Sequence, residues 1–164
     1  MPKPPPQSQI SPRGRELLTR LEGRRLRAYE DVAGLSTIGV GHLLTKDELA
    51  TGLINAGGEM KPWRAGISVA DSNAILDRDI ARFEAAINAG IQCPISQNQF
   101  DALACLAFNI GVGAFNKSTL RKRINAGLLG EVPEQFRRWN KAGGVVMRGL
   151  VDRREEEIKL WNGV

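Results

Sequence analysis

Three residues of one short stretch, Glu22, Asp31 and Thr37, carry groups whose types and spacing could do chemistry together. Glu22 closes a run with helical spacing, Asp31 lies in a turn-forming stretch, and Thr37 starts a strand punctuated by Gly39 and Gly41. Two carboxyl groups on different elements, with a hydroxyl to hold water, are the minimum equipment for hydrolysing a glycosidic bond. One acid protonates the departing oxygen and the other takes a proton from the attacking water. Taken singly, each has a plainer reading: a helix-end carboxylate, a turn aspartate and an ordinary strand threonine.

The elements that must position these groups can be read from the pattern. Ser11-Pro12 reads as a helix N-cap followed by proline in the first turn. Leu17, Leu18 and Leu21 form one face, and Gly23 is the stop. Glu22 then sits at the helix C-terminus, where the dipole opposes negative charge, with Arg24, Arg25 and Arg27 close by in the chain. Gly39 and Gly41 leave one strand face bare for a backbone or a flat sugar ring, or else mark a sharply bent hairpin. Thr45-Lys46-Asp47-Glu48 caps a short helix, and a Gly-rich excursion from Ala56 to Gly66 follows. A long helix is expected from Ser68 to Ala89, ended by Gly90. Ser96-Gln97-Asn98-Gln99 is a capping box opening a helix that is apolar nearly all round from Phe100 to Ile110, the mark of a buried centre. Shorter amphipathic helices are expected at Ser118–Asn125, Val132–Trp139 and Leu150–Trp161.

The expected fold is α+β, mostly α. A small β-containing N-terminal lobe is joined by a long helix to a helical C-terminal lobe. Residues 11–164 would form a single domain, preceded by a disordered Pro-rich tail over residues 1–10. The length of 164 residues suffices for a core without disulfide or metal. Cys93 and Cys105 read as free thiols. His42 is the only histidine, which disfavours a thiol–imidazole nucleophile and a protein-bound zinc. No metal or other cofactor is expected. The longest apolar run, Ala102 to Phe108, is too short to span a bilayer, and the start lacks the apolar stretch of a secretory signal. The expected place of synthesis is therefore the cytoplasm.

The net charge of +5 is unevenly spread. Ile91 to Arg148 holds 8 basic and 3 acidic residues, which accounts for the whole excess. With no recognised reading element, nucleic acid is not an expected partner. A solvated face is the plain reading, and weak attraction to an anionic wall polymer is the functional one.

The stretch Glu22-Gly23-Arg24-Arg25-Leu26-Arg27-Ala28-Tyr29-Glu30-Asp31-Val32-Ala33-Gly34-Leu35-Ser36-Thr37-Ile38-Gly39-Val40-Gly41-His42 resembles the signature of the phage-type lysozymes, glycoside hydrolase family 24. Every fixed position of that signature is present. Phe108-Asn109-Ile110-Gly111-Val112-Gly113-Ala114-Phe115 is similar to a second segment of the family. Arg138-Trp139, Gly149-Leu150 and Arg153-Arg154-Glu155 are similar to its C-terminal region.

The resemblance implies a lysozyme-like fold and a muramidase that hydrolyses the β-1,4 bond between N-acetylmuramic acid and N-acetylglucosamine, with inversion, for host lysis. It implies Glu22 as general acid, Asp31 as general base and Thr37 as the water holder. It assigns substrate binding to Leu43, Phe108 and Asn109, and structural support to His42, Gly39 and Gly41. His42 would pair with an acid of the long helix, Asp77 or Asp79. The implied partners are peptidoglycan glycan strands and, functionally, a holin-type membrane protein that opens the path to the wall. The chain would act as a monomer. A lytic transglycosylase and an inactive wall-binding module are the other classes consistent with the fold, and the intact Asp31 and Thr37 speak against both.

Overall fold

The computed structural model describes residues 8–164. The chain divides into two compact units, one spanning Leu18–Ala81 and the other built from the residues up to Leu17 together with Arg82–Val164. The first helix, α1 (Pro12–Glu22), and the long helix α3 (Val69–Gly90) each contain a boundary.

The unit Leu18–Ala81 holds a three-stranded antiparallel sheet of β1 (Arg25–Glu30), β2 (Ser36–Gly39) and β3 (His42–Leu43), in that order. Tyr29 pairs with Thr37, Glu30 with Ser36, and Thr37 with Leu43. Helix α2 (Lys46–Thr51) begins with the expected capping box, Thr45 and Glu48 each bonding the other's backbone N–H. The stretch expected as a Gly-rich excursion is partly ordered as a second hairpin, β4 (Leu53–Ala56) and β5 (Glu59–Pro62). Gly57 and Gly58, both at positive φ, make its turn, and the Asn55 side chain accepts from the Gly58 N–H. Ile38, Leu44, Ile54, Trp63, Ile67 and Ile75 pack together as the core of this unit. Each such side chain is worth about 1.5–3 kcal/mol when fully buried.

The second unit is helical. Helix α4 (Gln97–Ile110) starts at the Ser96–Gln99 capping box and buries every residue from Phe100 to Ala107, so it is the central helix expected from its apolar run. Around it come α5 (Val112–Lys117), α6 (Thr119–Asn125), a single 3-10 turn (Leu129–Glu131), α7 (Val132–Arg137) and α8 (Arg148–Trp161), the last packing along α4. The sequence pattern does not announce α5, because its six residues are too few to show a period. A small hairpin of β6 (Lys141–Ala142) and β7 (Val145–Val146), turning through Gly143 and Gly144, also escapes the pattern. Cys93 donates to the Ile124 carbonyl at 3.1 Å, and neither cysteine is in a disulfide. No described helix is long and apolar enough to cross a membrane.

The expectation of a disordered tail fails for its last three residues. Asn88 accepts from the Ser8 N–H at 2.9 Å and donates to the Ser8 carbonyl at 2.8 Å. Glu84 accepts from the Ile10 N–H, and Gln97 donates to the Gln9 carbonyl. These partners lie more than seventy positions away, so no local pattern announces them. Residues 1–7, which carry the proline-rich part of that expectation, lie outside the described residues. Next along the chain, the buried Asp101 accepts from the Ser11 N–H, the Ser11 hydroxyl and the Gln97 amide. Gly14 has no room for a side chain, because a Cβ there would stand 2.5 Å from the Asp101 carboxyl carbon.

Candidate active site

All three residues expected to react lie in the unit Leu18–Ala81. Helix α1 ends at Glu22 because Gly23 turns the chain at φ +73° and its N–H closes on the Thr19 carbonyl at 2.9 Å. Glu22 is half-buried, and its Oε1 is shut off from solvent. Of the neighbouring arginines, Arg24 donates to the Asn73 side chain at 2.7 Å and Arg25 lies over the Tyr29 ring.

Asp31 and Thr37 are brought together by the turn between β1 and β2. The Asp31 N–H donates to the Leu35 carbonyl, and Asp31 Oδ1 accepts from the N–H groups of Ala33 and Leu35, all at 2.9 Å. Side-chain bonds of this kind are why aspartate favours such turns. The Thr37 hydroxyl donates to the same Leu35 carbonyl at 3.0 Å. One residue therefore orients both groups. Oδ2 of Asp31 and the lone pairs of Thr37 Oγ1 remain as acceptors for a water molecule. Thr37 is 3% exposed.

Gly39 and Gly41 both stand at φ +65° and bend the chain between β2 and β3. The bent-hairpin reading describes this geometry. Gly39 also lies against α3, since a Cβ there would be 3.4 Å from Ser72 Oγ. That hydroxyl is fully buried and has no hydrogen-bond partner among the described residues.

His42, paired with Ile38 across β2–β3, is buried with both ring nitrogens on carboxylates. Nδ1 lies 2.7 Å from Asp79 on α3, and Nε2 lies 2.9 Å from Glu48 on α2. Asp79, not Asp77, is thus the acid of the long helix that meets it. Burial by itself lowers the His42 pKa, but Asp79 and then Glu48 outweigh it and hold the imidazole above its ordinary range. Burial raises Glu48, but the Thr45 backbone N–H and the His42 ring outweigh it and hold Glu48 below the usual carboxylate range. Arg78 approaches the other oxygen of Glu48 at 3.5 Å. Sequence reasoning misses Glu48 as a partner of His42 because the capping box already accounts for its side chain. Among the described residues, no three His, Cys, Asp or Glu side chains gather as a metal site would require.

The three substrate-binding expectations separate. Leu43, half exposed, is the cross-strand neighbour of Thr37, in the same unit as the residues expected to react. Phe108 and Asn109 end α4 in the helical unit. There Phe108 packs on Phe83 with ring centroids 5.2 Å apart, and the Asn109 side chain accepts from Arg154 at 2.8 Å. Arg154 is almost fully buried and bonds Glu157, which Arg153 also meets, at 2.8–3.1 Å.

Residues 19–157 match the phage lysozyme family. The chain is 37% identical over 156 residues to an endolysin of Acyrthosiphon pisum secondary endosymbiont phage 1, covering 93% of this chain and 97% of that protein. It is 36% identical over 156 residues to an endolysin of Bacillus phage PZA, covering 94% of this chain but 55% of the longer relative. Among solved structures, an endolysin from Escherichia coli O157:H7 phage FAHEc1 superposes with a TM-score of 0.80 at 34% identity, covering 96% of each chain.

Proposed function

This chain belongs to the phage lysozyme family and is a glycoside hydrolase with a cell-wall lytic function, and from that premise we propose that it is an inverting muramidase. It cuts the β-1,4 bond between N-acetylmuramic acid and N-acetylglucosamine. Glu22, as the neutral acid, donates its proton to the departing sugar oxygen while the bond to the anomeric carbon breaks. A water held by Thr37 attacks that carbon from the opposite face, and Asp31 Oδ2 takes the water's proton. The observation that supports this reading is the Leu35 bridge: the Leu35 N–H donates to Asp31 Oδ1, and the Leu35 carbonyl accepts from the Thr37 hydroxyl. Inversion requires the two carboxyl groups to stand about 6.5–9.5 Å apart, leaving room for that water, rather than the about 5–5.5 Å of a retaining pair.

Product analysis on purified peptidoglycan tests the proposal. The expected products end in reducing N-acetylmuramic acid whose anomeric configuration is opposite to that of the bond cut, as read by NMR within the first turnovers. Anhydromuramyl ends would assign the chain to the transglycosylases, and retained configuration would remove Asp31 from its role as base. In the cell we place its synthesis in the cytoplasm and its action at the wall, after a holin-type protein opens the membrane. A culture expressing the chain alone should stay turbid until chloroform is added, and prompt clearing without chloroform would overturn the dependence.

A further inference from the structure

Arg25 and Tyr29 of β1 lie in the chain between Glu22 and Asp31, and the proposed cleavage chemistry uses neither. The Arg25 guanidinium stands over the Tyr29 ring, 4.5 Å from its centroid. We infer that Arg25 binds an oxygen of the sugar beside the point of attack, and that Tyr29 is the positioning residue that holds it there; the inference rests on the reading of Thr37 given above as holder of the attacking water.

The register of the sheet supplies the placement. Tyr29 lies directly opposite Thr37 on one side, and Leu43 lies directly opposite it on the other. Residues opposite each other in an antiparallel ladder project from the same face, with Cβ atoms about 4.5–5.5 Å apart. Tyr29, Thr37 and Leu43 therefore form one row across that face, while Glu30, Ser36, Ile38 and His42 belong to the other. Arg25 joins the row through its contact with the Tyr29 ring. The ladder is irregular between Arg25 and Tyr29, so strand alternation alone does not bring the two together. A pyranose ring is about as wide as one step of this row. A glycan laid across Thr37 then meets Tyr29 with Arg25 to one side and Leu43 to the other.

Arg25 is equipped for a neutral acceptor. A guanidinium carries five N–H donors and no acceptor, and contact with the face of an aromatic ring fixes it without using those N–H groups. Its neighbour Arg24 is spent on Asn73. Arg25 is exposed and has no hydrogen-bond or ion-pair partner among the described residues. A free arginine side chain has about 2 kcal/mol of rotamer entropy to lose. The half-buried Tyr29 has already taken part of that loss, which lowers the cost of ordering on binding. The hydroxyl and amide carbonyl oxygens around an N-acetylated sugar are acceptors that such a fixed donor can reach.

Titration calorimetry with a soluble oligosaccharide of alternating N-acetylglucosamine and N-acetylmuramic acid tests this on the full chain carrying Glu22→Gln, where nothing is cleaved. Adding Arg25→Gln should weaken binding about three- to tenfold, the size of one or two hydrogen bonds. Because the acceptor is neutral, that fold-change should hold as salt is added. Tyr29→Phe keeps the ring face and should stay within about twofold of the Glu22→Gln chain. Tyr29→Ala should cost as much as Arg25→Gln, and the two together no more than either alone. An Arg25→Gln affinity within about twofold of the Glu22→Gln chain, a loss that salt abolishes, or no binding by the Glu22→Gln chain overturns the inference. Additive losses for Arg25→Gln and Tyr29→Ala would remove Tyr29 from its role. If Tyr29→Ala fails to fold, Arg25→Gln and Tyr29→Phe still decide. Product configuration is read separately on the cleaving chain, so failure of the inverting reading and failure of this one are told apart.

Discussion

Each unit of this molecule is tied together by a buried ionic cluster, and the two clusters differ in the kind of cation at their centre. In the unit Leu18–Ala81 an imidazole, His42, is held between Glu48 and Asp79. In the helical unit two guanidinium groups, Arg153 and Arg154, close on Glu157. A guanidinium keeps its charge at any pH the protein meets, whereas an imidazolium loses its own near neutrality or somewhat above. The unit that carries the proposed reacting groups is therefore the one whose fastening has a titratable cation. Its His42 stands one position along the ladder from the Thr37–Leu43 pair. In the helical unit the cations keep their charge and only the acid can titrate, burial pushing Glu157 above the usual carboxylate range against the pull of Arg154 and Arg153; that unit has no proposed reacting group.

The largest effect should come from the reacting groups themselves. Glu22→Gln keeps the shape but removes the proton, and wall lysis should fall about 10²–10⁴-fold with the thermal midpoint nearly unchanged. Substantial lysis by that variant would move the acid elsewhere and erase the division of labour between the units. Next comes Glu157→Gln. Two buried guanidinium groups would lose their counter-charge, and breaking a buried pair costs about 3–5 kcal/mol. Denaturant unfolding should show that loss, and a cost under about 1 kcal/mol would mean the cluster is not a fastening.

The pH dependence is a smaller effect, and its sign can be worked out. His42 is raised in the fold, so its contribution is full below the ordinary imidazole value of 6.5 and is lost as pH rises through its higher folded value. Glu48 is lowered, so its contribution is full above the ordinary 4.5 and is lost as pH falls through its lower folded value. The two overlap between those ordinary values. Asp79→Asn should remove about 1.5–3 kcal/mol, the range for a hydrogen bond to a charged group, at pH 5.5, and much less at pH 9. Urea midpoints at both pH values measure it, and a deficit that does not change with pH would break the contrast between the clusters. The smallest effect concerns Ser72, whose hydroxyl is buried against Gly39 without a hydrogen-bond partner among the described residues. Ser72→Ala should stabilise the unit by about 1 kcal/mol, read as a higher urea midpoint, and a loss of stability would show that the hydroxyl is satisfied.

What was legible in the chain was local. Gly23 after a leucine face set the end of α1 and hence Glu22, and two capping boxes set the starts of α2 and α4. The uninterrupted apolar run set the burial of α4. What stayed hidden was joined across long separations or already had a sufficient local explanation. Nothing near Ser8 or Ile10 points to Asn88 or Glu84, and Glu48 looked complete as a cap. The Leu35 bridge is hidden differently, because a backbone carbonyl shared by two side chains has no signature in residue type. The β6–β7 hairpin is too short for alternation to register.

The discontinuity of the helical unit bears on the order of synthesis. Its first piece, ending at Leu17, leaves the ribosome before any of the other unit, yet the partners that hold it, Glu84, Asn88 and Asp101, are translated long afterwards. Arg13 even donates to the carbonyl of Val164 at 2.8 Å, a partner 151 positions further along the chain. The stretch Leu18–Ala81, by contrast, is continuous and has its own core, so it can assemble while the rest is still being translated. The proposed reacting groups would then be in place before the helical unit has all its parts, and that unit would wait for α3 and α4 to emerge before recruiting the segment that emerged first.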